Sequence, residues 1–303
     1  MNSSCQVCGA TSNLLKCSGC TCISYCGTEH QKIAWKTHKK FCKQLKERKL
    51  DLELGFESQK GKQSLEKIEA LLDAGADPNV NLPNVYDQFG FTPTMLALEY
   101  GNITLVKLLL AKGADPNVRS FSQSLPLIRA AFNDNVEIGR VLVSAGALVD
   151  AWNDKKQTPL YIAAQSNAVR FGKMLIENHC DVNIQTELGG TALWLCAHNV
   201  TDNSMSTGFA SMLLEAGADP DIATVTGCTP LYMACLTNNI TMARLLIKHG
   251  CDVNKTEMNG ASPLFSAVSR DNGPMAELLR SVGAGMTVPP MVASVLSELS
   301  SRK

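Results

Sequence analysis

Nine potential metal donors crowd into the first 42 residues: Cys5, Cys8, Cys17, Cys20, Cys22, Cys26, His30, His38 and Cys42. Cys5 and Cys8, like Cys17 and Cys20, are separated by two residues. At that spacing a tight turn delivers two sulfurs to one tetrahedral ion, and a distant second pair closes the shell. Seven of the chain's 12 cysteines lie in this stretch. The chain begins without the basic-then-apolar layout of a secretory leader, and no run approaches the roughly 18 apolar residues of a membrane span. An intracellular setting, cytoplasmic or nuclear, is therefore expected, and there clustered thiols hold metal more often than they form disulfides. A stretch of about 40 residues buries little apolar surface, so metal binding is expected to supply its stability.

The same stretch resembles a MYND zinc finger. The matching residues are Cys5 and Cys8, Cys17 and Cys20, Tyr25 and Cys26, His30 and Gln31, Trp35, His38 and Lys39, and Cys42. The resemblance implies two zinc ions per chain with interleaved ligands. Cys5, Cys8, Cys26 and His30 would hold one, and Cys17, Cys20, His38 and Cys42 the other. The family usually has Cys at the place of His30. Imidazole is also a zinc ligand, while Cys22 is a spare thiol, either a competitor for that place or a plain small side chain. The resemblance also implies that Gln31 and Trp35 line a groove for short proline-rich peptides, which are pre-extended and dock on aromatic faces. The other reading of Trp35 is packing within the finger.

Charge is divided as unevenly as cysteine. Residues 1–50 carry nine Lys/Arg against two Asp/Glu, and the rest carries 19 against 26, although the whole chain has no net formal charge. Lys32, Lys36, Lys39, Lys40, Lys43 and Lys46 mostly recur at helical spacing, as on a solvated helix face.

Beyond the cluster one pattern recurs. In its clearest copy Thr229 caps a helix begun by Pro230, and Asn238 and Asn239 break that helix. Met242, Leu245, Leu246 and Ile247 then recur at helical spacing up to Gly250, a left-handed stop. Counterparts of Pro230 are Pro93, Pro126, Pro159, Ala192 and Pro263, and counterparts of Gly250 are Gly75, Gly113, Gly146, His179, Gly217 and Gly283. A period of about 33 with a Thr-Pro-Leu-x-x-Ala opening resembles the ankyrin repeat. The expected fold is mainly α: a small zinc-stabilised finger (1–46), an α-solenoid of about seven ankyrin repeats (47–288) and a C-terminal tail (289–303) that caps the last repeat. The repeats fall at 50–86, 87–119, 120–152, 153–185, 186–223, 224–256 and 257–288. Two carry insertions, at 81–86 and 200–206, which are expected to form surface loops.

The ankyrin resemblance implies protein binding on a concave side, through turn tips and the residues just after each first helix. Those positions form an apolar row here: Phe89, Phe121, Leu188, Val225 and Met258 at the tips, with Tyr100, Phe132 and Leu236 beside them. Exposed apolar residues in a line mark a partner surface. The register after Thr-Pro-Leu holds Met95, Ile128, Tyr161, Trp194, Tyr232 and Phe265, expected to be core between repeats rather than the other reading, a ligand surface. His179, His198 and His249 read as surface or helix-end residues. Asn79, Asn117, Asn183 and Asn254 resemble asparagines hydroxylated in other ankyrin proteins, but read more simply as turn residues bonding their own backbone.

The chain has no phosphate-cradling glycine loop, nucleophile elbow or His-Glu-x-x-His. Zinc sites with four protein ligands each leave no open position for water. The expectation is a non-enzymatic adaptor with no membrane contact, whose finger takes a proline-rich peptide and whose array takes a second protein. The alternative is a nucleic-acid-associated transcriptional regulator using the basic finger, recognisable by steeply salt-dependent binding.

Overall fold

Proline at the first position of a helix loses nothing, because the N–H it lacks would have no partner there. Helices begin accordingly at Pro93, Pro126, Pro159, Pro230 and Pro263. The structure is a computed structural model that describes residues 15–16, 24–25, 51, 53–54, 57–58, 65–80, 91–120, 123–199 and 203–294. It divides into two compact units, Met1–Phe121 and Ser122–Lys303.

In the first unit β1 (Leu15–Lys16) and β2 (Ser24–Tyr25) pair antiparallel, with Leu15 opposite Tyr25. Helical residues within 51–58 precede α1 (Leu65–Asp73), α2 (Pro93–Glu99) and α3 (Ile103–Ala111). Lys112 reaches back to Asp73 at 2.6 Å and Glu69 at 3.2 Å, tying the end of α3 to α1.

Among the described residues the second unit contains five helix pairs: α4 (Pro126–Phe132) with α5 (Val136–Ser144), α6 (Pro159–Gln165) with α7 (Val169–Glu177), α8 (Ala192–His198) with α9 (Asn203–Glu215), α10 (Pro230–Leu236) with α11 (Ile240–Lys248), and α12 (Pro263–Ser269) with α13 (Gly273–Ser281). First helices pack on first helices along the unit, and second helices on second helices. Core side chains interlock across that second row. A Cβ on Gly139 would lie 2.6 Å from the Phe171 ring, and one on Gly172 would lie 2.5 Å from the Phe209 ring. Glycine inside a helix is unfavourable by itself. Here it makes room for Phe171 and Phe209, the two largest fully buried side chains among the described residues.

Two sets of caps hold the helices in register. Thr92, Thr158, Thr191, Thr229 and Ser262 each accept a backbone N–H three residues on, at 3.1–3.3 Å. Between helices the chain turns through a left-handed residue (Asp134, Asn167, Asn238 or Asp271), and the next residue is the N-cap of the second helix. Asn102, Asn135, Asn239 and Asn272 cap that helix from the position where α7 has Ala168, which makes no side-chain cap bond.

Successive repeats are clasped at their turns. Asp77, Asp115, Asp181, Asp219 and Asp252 each accept the backbone N–H two residues on. The next side chain reaches outward instead. Asn79 Oδ1 accepts from the Asp115 N–H, Asn183 Oδ1 from Asp219 and Asn254 Oδ1 from Gly285, at 2.7–2.9 Å. The expectation that these asparagines bond their own backbone is therefore corrected for Asn79, Asn183 and Asn254. The preceding aspartate already fills the local role, so the asparagine binds the neighbouring turn. Asp150 and Asp221 make the same contact as carboxylates, to the N–H groups of Asp181 and Asp252. Burial pushes the Asp150 carboxyl above its ordinary pKa, with the nearby Asp181 carboxylate adding to the shift and the Asp181 N–H opposing it.

The second insertion departs from expectation. Residues 203–206 are the first turn of α9, which has 13 residues where α5, α7, α11 and α13 have nine; residues 200–202 lie outside the described residues. Asn203-Ser-Met-Ser206 contains neither Gly nor Pro, so another helical turn satisfies its backbone without a loop. The insertion at 81–86 also lies outside the described residues. Just before the tail the chain folds back on the start of α12, where the Ser262 N–H donates to Thr287 O at 3.1 Å and the Thr287 N–H to Ser262 Oγ at 3.0 Å.

Two stability changes follow from the caps and clasps. Ala168→Asn supplies the missing cap and should stabilise the chain by about 1 kcal/mol in urea denaturation; a loss would mean the buried amide finds no partner. Asp150→Asn keeps the acceptor for Asp181 and removes a disfavoured charge. Because the folded carboxyl binds its proton more tightly than the unfolded one, Asp150 destabilises the fold above the ordinary carboxylate range and not below it. The variant should therefore unfold at higher urea than wild type at neutral pH, and the gap should close as pH falls through that range. Equal midpoints at neutral pH would show that the burial is inconsequential.

Candidate functional site

Adjacent turns of the second unit are joined edge to edge. The Glu187 N–H donates to Lys155 O at 3.3 Å, Val225 to Leu188 O at 3.0 Å and Met258 to Thr226 O at 2.9 Å. Gln185 Nε2 bridges Gly189 O and Ala223 O at 2.8 and 3.0 Å. Gly189 and Gly227 both have φ +78°, and a Cβ on either would come within 2.7 or 2.8 Å of the backbone nitrogen of Val225 or Met258. Glycine is required there twice over, for backbone conformation and for close approach.

Three predicted tip residues ride on this scaffold and face solvent: Leu188 at 73% exposure, Val225 at 60% and Met258 at 77%. Phe132 is exposed at the end of α4, with the Arg129 guanidinium 5.3 Å from its ring centre, and Leu236 is half-buried at the end of α10. In the first unit Tyr100 is exposed after α2. Phe89 and Phe121 lie outside the described residues, as do Gln31, Trp35 and the donors Cys5, Cys8, Cys17, Cys20, Cys26, His30, His38 and Cys42. Of the finger, the described part is β1 and β2, which set side by side the residues preceding Cys17 and Cys26 in sequence. The donor set of thiols and imidazoles suits zinc, a borderline-soft ion that favours sulfur and nitrogen.

The register after Thr-Pro-Leu was expected to be core throughout, and this needs correction. Met95 and Ile128 are buried, but Tyr161, Trp194, Tyr232 and Phe265 are half-buried. Large rings fill the gap between repeats and still leave an edge outside. Tyr161 and Trp194 thereby line a cleft of about 380 Å³ beneath Leu188. Trp194 stacks on His198 with ring centres 5.1 Å apart, and its Nε1–H is buried with no hydrogen-bond partner among the described residues. The cleft's polar rim includes Lys155, Gln157 and Glu187. Sequence reasoning passed over these residues because polar side chains at turn tips carry no pattern of their own.

His198 and His179 are exposed and His249 is half-buried at the end of α11. His179 adopts the left-handed backbone (φ +59°) found at Gly146, Gly217 and Gly250 in sister repeats. Among the described residues no group of three or more His, Cys, Asp and Glu is arranged to hold a metal, and no helix is long and apolar enough to cross a membrane. Cys180, Cys196, Cys235 and Cys251 are buried, and burial pushes each thiol up to about 12.

Comparison with known proteins fits this geometry. Four overlapping stretches, 56–151, 99–186, 127–224 and 193–289, match ankyrin repeats (3 copies). The chain belongs to the ankyrin-repeat family. Residues 5–42 match the MYND finger, which carries zinc binding with it, and both are protein-interaction modules. Among curated proteins the chain is 25% identical over 173 residues to the human transient receptor potential cation channel subfamily A member 1, covering 57% of this chain and 12% of that protein. It is 50% identical over 38 residues to human Egl nine homolog 1, covering 12% of this chain and 9% of that protein. It is 49% identical over 43 residues to histone-lysine N-methyltransferase ASHR1 of Arabidopsis thaliana, covering 14% and 9%. The chain thus spans at most 12% of the length of these relatives.

The array cysteines give a direct check on packing. Brief treatment of native protein with N-ethylmaleimide at mildly alkaline pH, followed by peptide mapping, should modify half-exposed Cys228 and spare Cys180, Cys196, Cys235 and Cys251, because the thiolate is the reactive form. Labelling of Cys235 at the rate of Cys228 would contradict the packing of α10.

Proposed function

We propose that this chain is a non-enzymatic adaptor. Its finger, closed around two structural zinc ions, holds a short proline-rich peptide through Gln31 and Trp35, and its array holds a second protein along the concave row of turn tips. The observation that carries this reading is the ridge of Leu188, Val225 and Met258, apolar and exposed on turns locked together by backbone hydrogen bonds. A rigid row of apolar anchors loses little conformational entropy on binding, which is what a recognition surface needs. Catalysis would need a positioned nucleophile, acid–base pair or open metal, and the residues of the ridge supply none of these. The setting is intracellular.

The test is quantitative affinity enrichment with the full chain. Wild type, Leu188→Glu/Met258→Glu and Trp35→Ala are compared after native mass spectrometry has confirmed two zinc ions in each. The ridge variant should lose one set of partners and the finger variant another. Identical partner lists for all three would sink the adaptor reading. Partner capture that collapses steeply between low and moderate salt would favour nucleic-acid binding by the basic finger.

A further inference from the structure

We propose that Asn259 is a site of spontaneous deamidation, and that its conversion to a carboxylate alters the ridge at Met258 and weakens partner capture. The modification itself is independent of the adaptor reading, whereas its effect on capture rests on that reading.

Asparagine followed by glycine is the arrangement most open to this chemistry, because glycine puts no side chain over the peptide nitrogen that must attack. The sequence contains two such pairs, Asn259-Gly260 and Asn272-Gly273. At the first, the Gly260 nitrogen bonds to Asn259 Cγ, the Cγ–Nδ2 bond breaks, and the amide proton of Gly260 leaves with Nδ2 as ammonia. Water then opens the succinimide ring. Cleavage of the bond to Cγ gives aspartate, and cleavage of the bond to the main-chain carbonyl carbon gives isoaspartate, whose backbone is longer by one carbon.

The fold separates the two pairs. Asn272 is 9% exposed and both ends of its amide are in use. Its Oδ1 accepts from the Met275 N–H at 3.2 Å as the cap of α13, and its Nδ2 donates to Asn238 Oδ1 at 2.6 Å. Swinging that amide back towards Gly273 would cost a cap and a second hydrogen bond. Asn259 is exposed on the last turn, where its Nδ2 donates to Glu257 Oε2 at 3.1 Å at the surface. One bond of the turn, from the Gly260 N–H to Glu257 O at 2.9 Å, has to open for the attack.

Position in the array favours that opening. Leu188 O and Thr226 O, at the same place in earlier turns, each accept an N–H from the following turn, whereas among the described residues nothing donates to Asn259 O. A Cβ on Gly189 or Gly227 would strike the backbone of the next turn; one on Gly260 would meet Pro290 at 3.4 Å and nothing nearer among the described residues. The last turn is clasped on one side, and local opening is cheapest where least is broken. The product sets a second carboxylate near Glu257 and, as isoaspartate, lengthens the loop that presents Met258. An apolar anchor gains a charged neighbour and loses its fixed place.

The experiment ages the native full chain at mildly alkaline pH and maps it with trypsin, which cuts after Arg270 and so puts the two pairs on different peptides. A parallel sample in urea gives each asparagine's rate without the fold. Relative to those rates, native Asn259 should convert at least about tenfold faster than native Asn272. Its conversion should accelerate as pH rises, because the attacking nitrogen must lose its proton. Aged wild type and fresh Asn259→Asp should each capture less of the partner set that Leu188→Glu/Met258→Glu loses. Aged Asn259→Gln, whose longer side chain closes a ring far more slowly, should keep that set. A native Asn259 as unreactive as Asn272 overturns the site. Conversion of Asn259 with capture unchanged in Asn259→Asp overturns its role at the ridge. A ridge variant that loses no partner sinks the adaptor reading and that role together, and leaves the deamidation to be decided by the peptide map.

Discussion

Among the described residues, the array's seven- and nine-residue helices cannot stand alone. The first helices have seven residues and most second helices have nine, whereas an isolated helix shorter than about 12 residues is marginal in water. Each pair exists because a neighbour covers its apolar face. The Phe171 ring over Gly139 and the Phe209 ring over Gly172 show how close that cover is. Threonine caps, asparagine caps and turn clasps then set the angle and register at which cover is achieved. Cohesion of this kind runs only between nearest neighbours, so the array resembles a chain of contacts more than a droplet with a centre.

This arrangement decides where partner-binding chemistry can be placed. The second-helix faces that interlock are committed to cohesion. The turns are joined through backbone atoms and a few polar side chains, which leaves Leu188, Val225 and Met258 exposed. The Tyr161–Trp194 cleft lies at the boundary between the two regimes, with its rings half in the stack and half out.

Much of this was legible in the sequence because the physics is local. Thr229 with Pro230 marks a helix start, Asn239 a second start, and Gly250 a stop, whatever the rest of the chain does. The spacing of Cys5, Cys8, Cys17 and Cys20 is equally local. What could not be read depends on geometry between distant residues. Whether Trp194 is covered depends on how far one repeat sits from the next relative to an indole's width. Whether Asn183 bonds its own turn or the next depends on where Asp181 has already turned its carboxylate. The run from Asn203 to Ser206 has neither a helix breaker nor an apolar period, so its extra helical turn is decided by what it joins.

That extra turn in α9 has a wider meaning. Asn183 reaches Asp219 across 36 positions of sequence, while Asp150 reaches Asp181 and Asp221 reaches Asp252 across 31, and the hydrogen bond has the same form in all three. Four residues have been added to α9 without disturbing the turns. The two sides of the molecule are mechanically uncoupled in length. One can be redrafted by insertion while the other keeps its pitch, so a recognition surface on the turns can persist through large changes in the scaffold behind it.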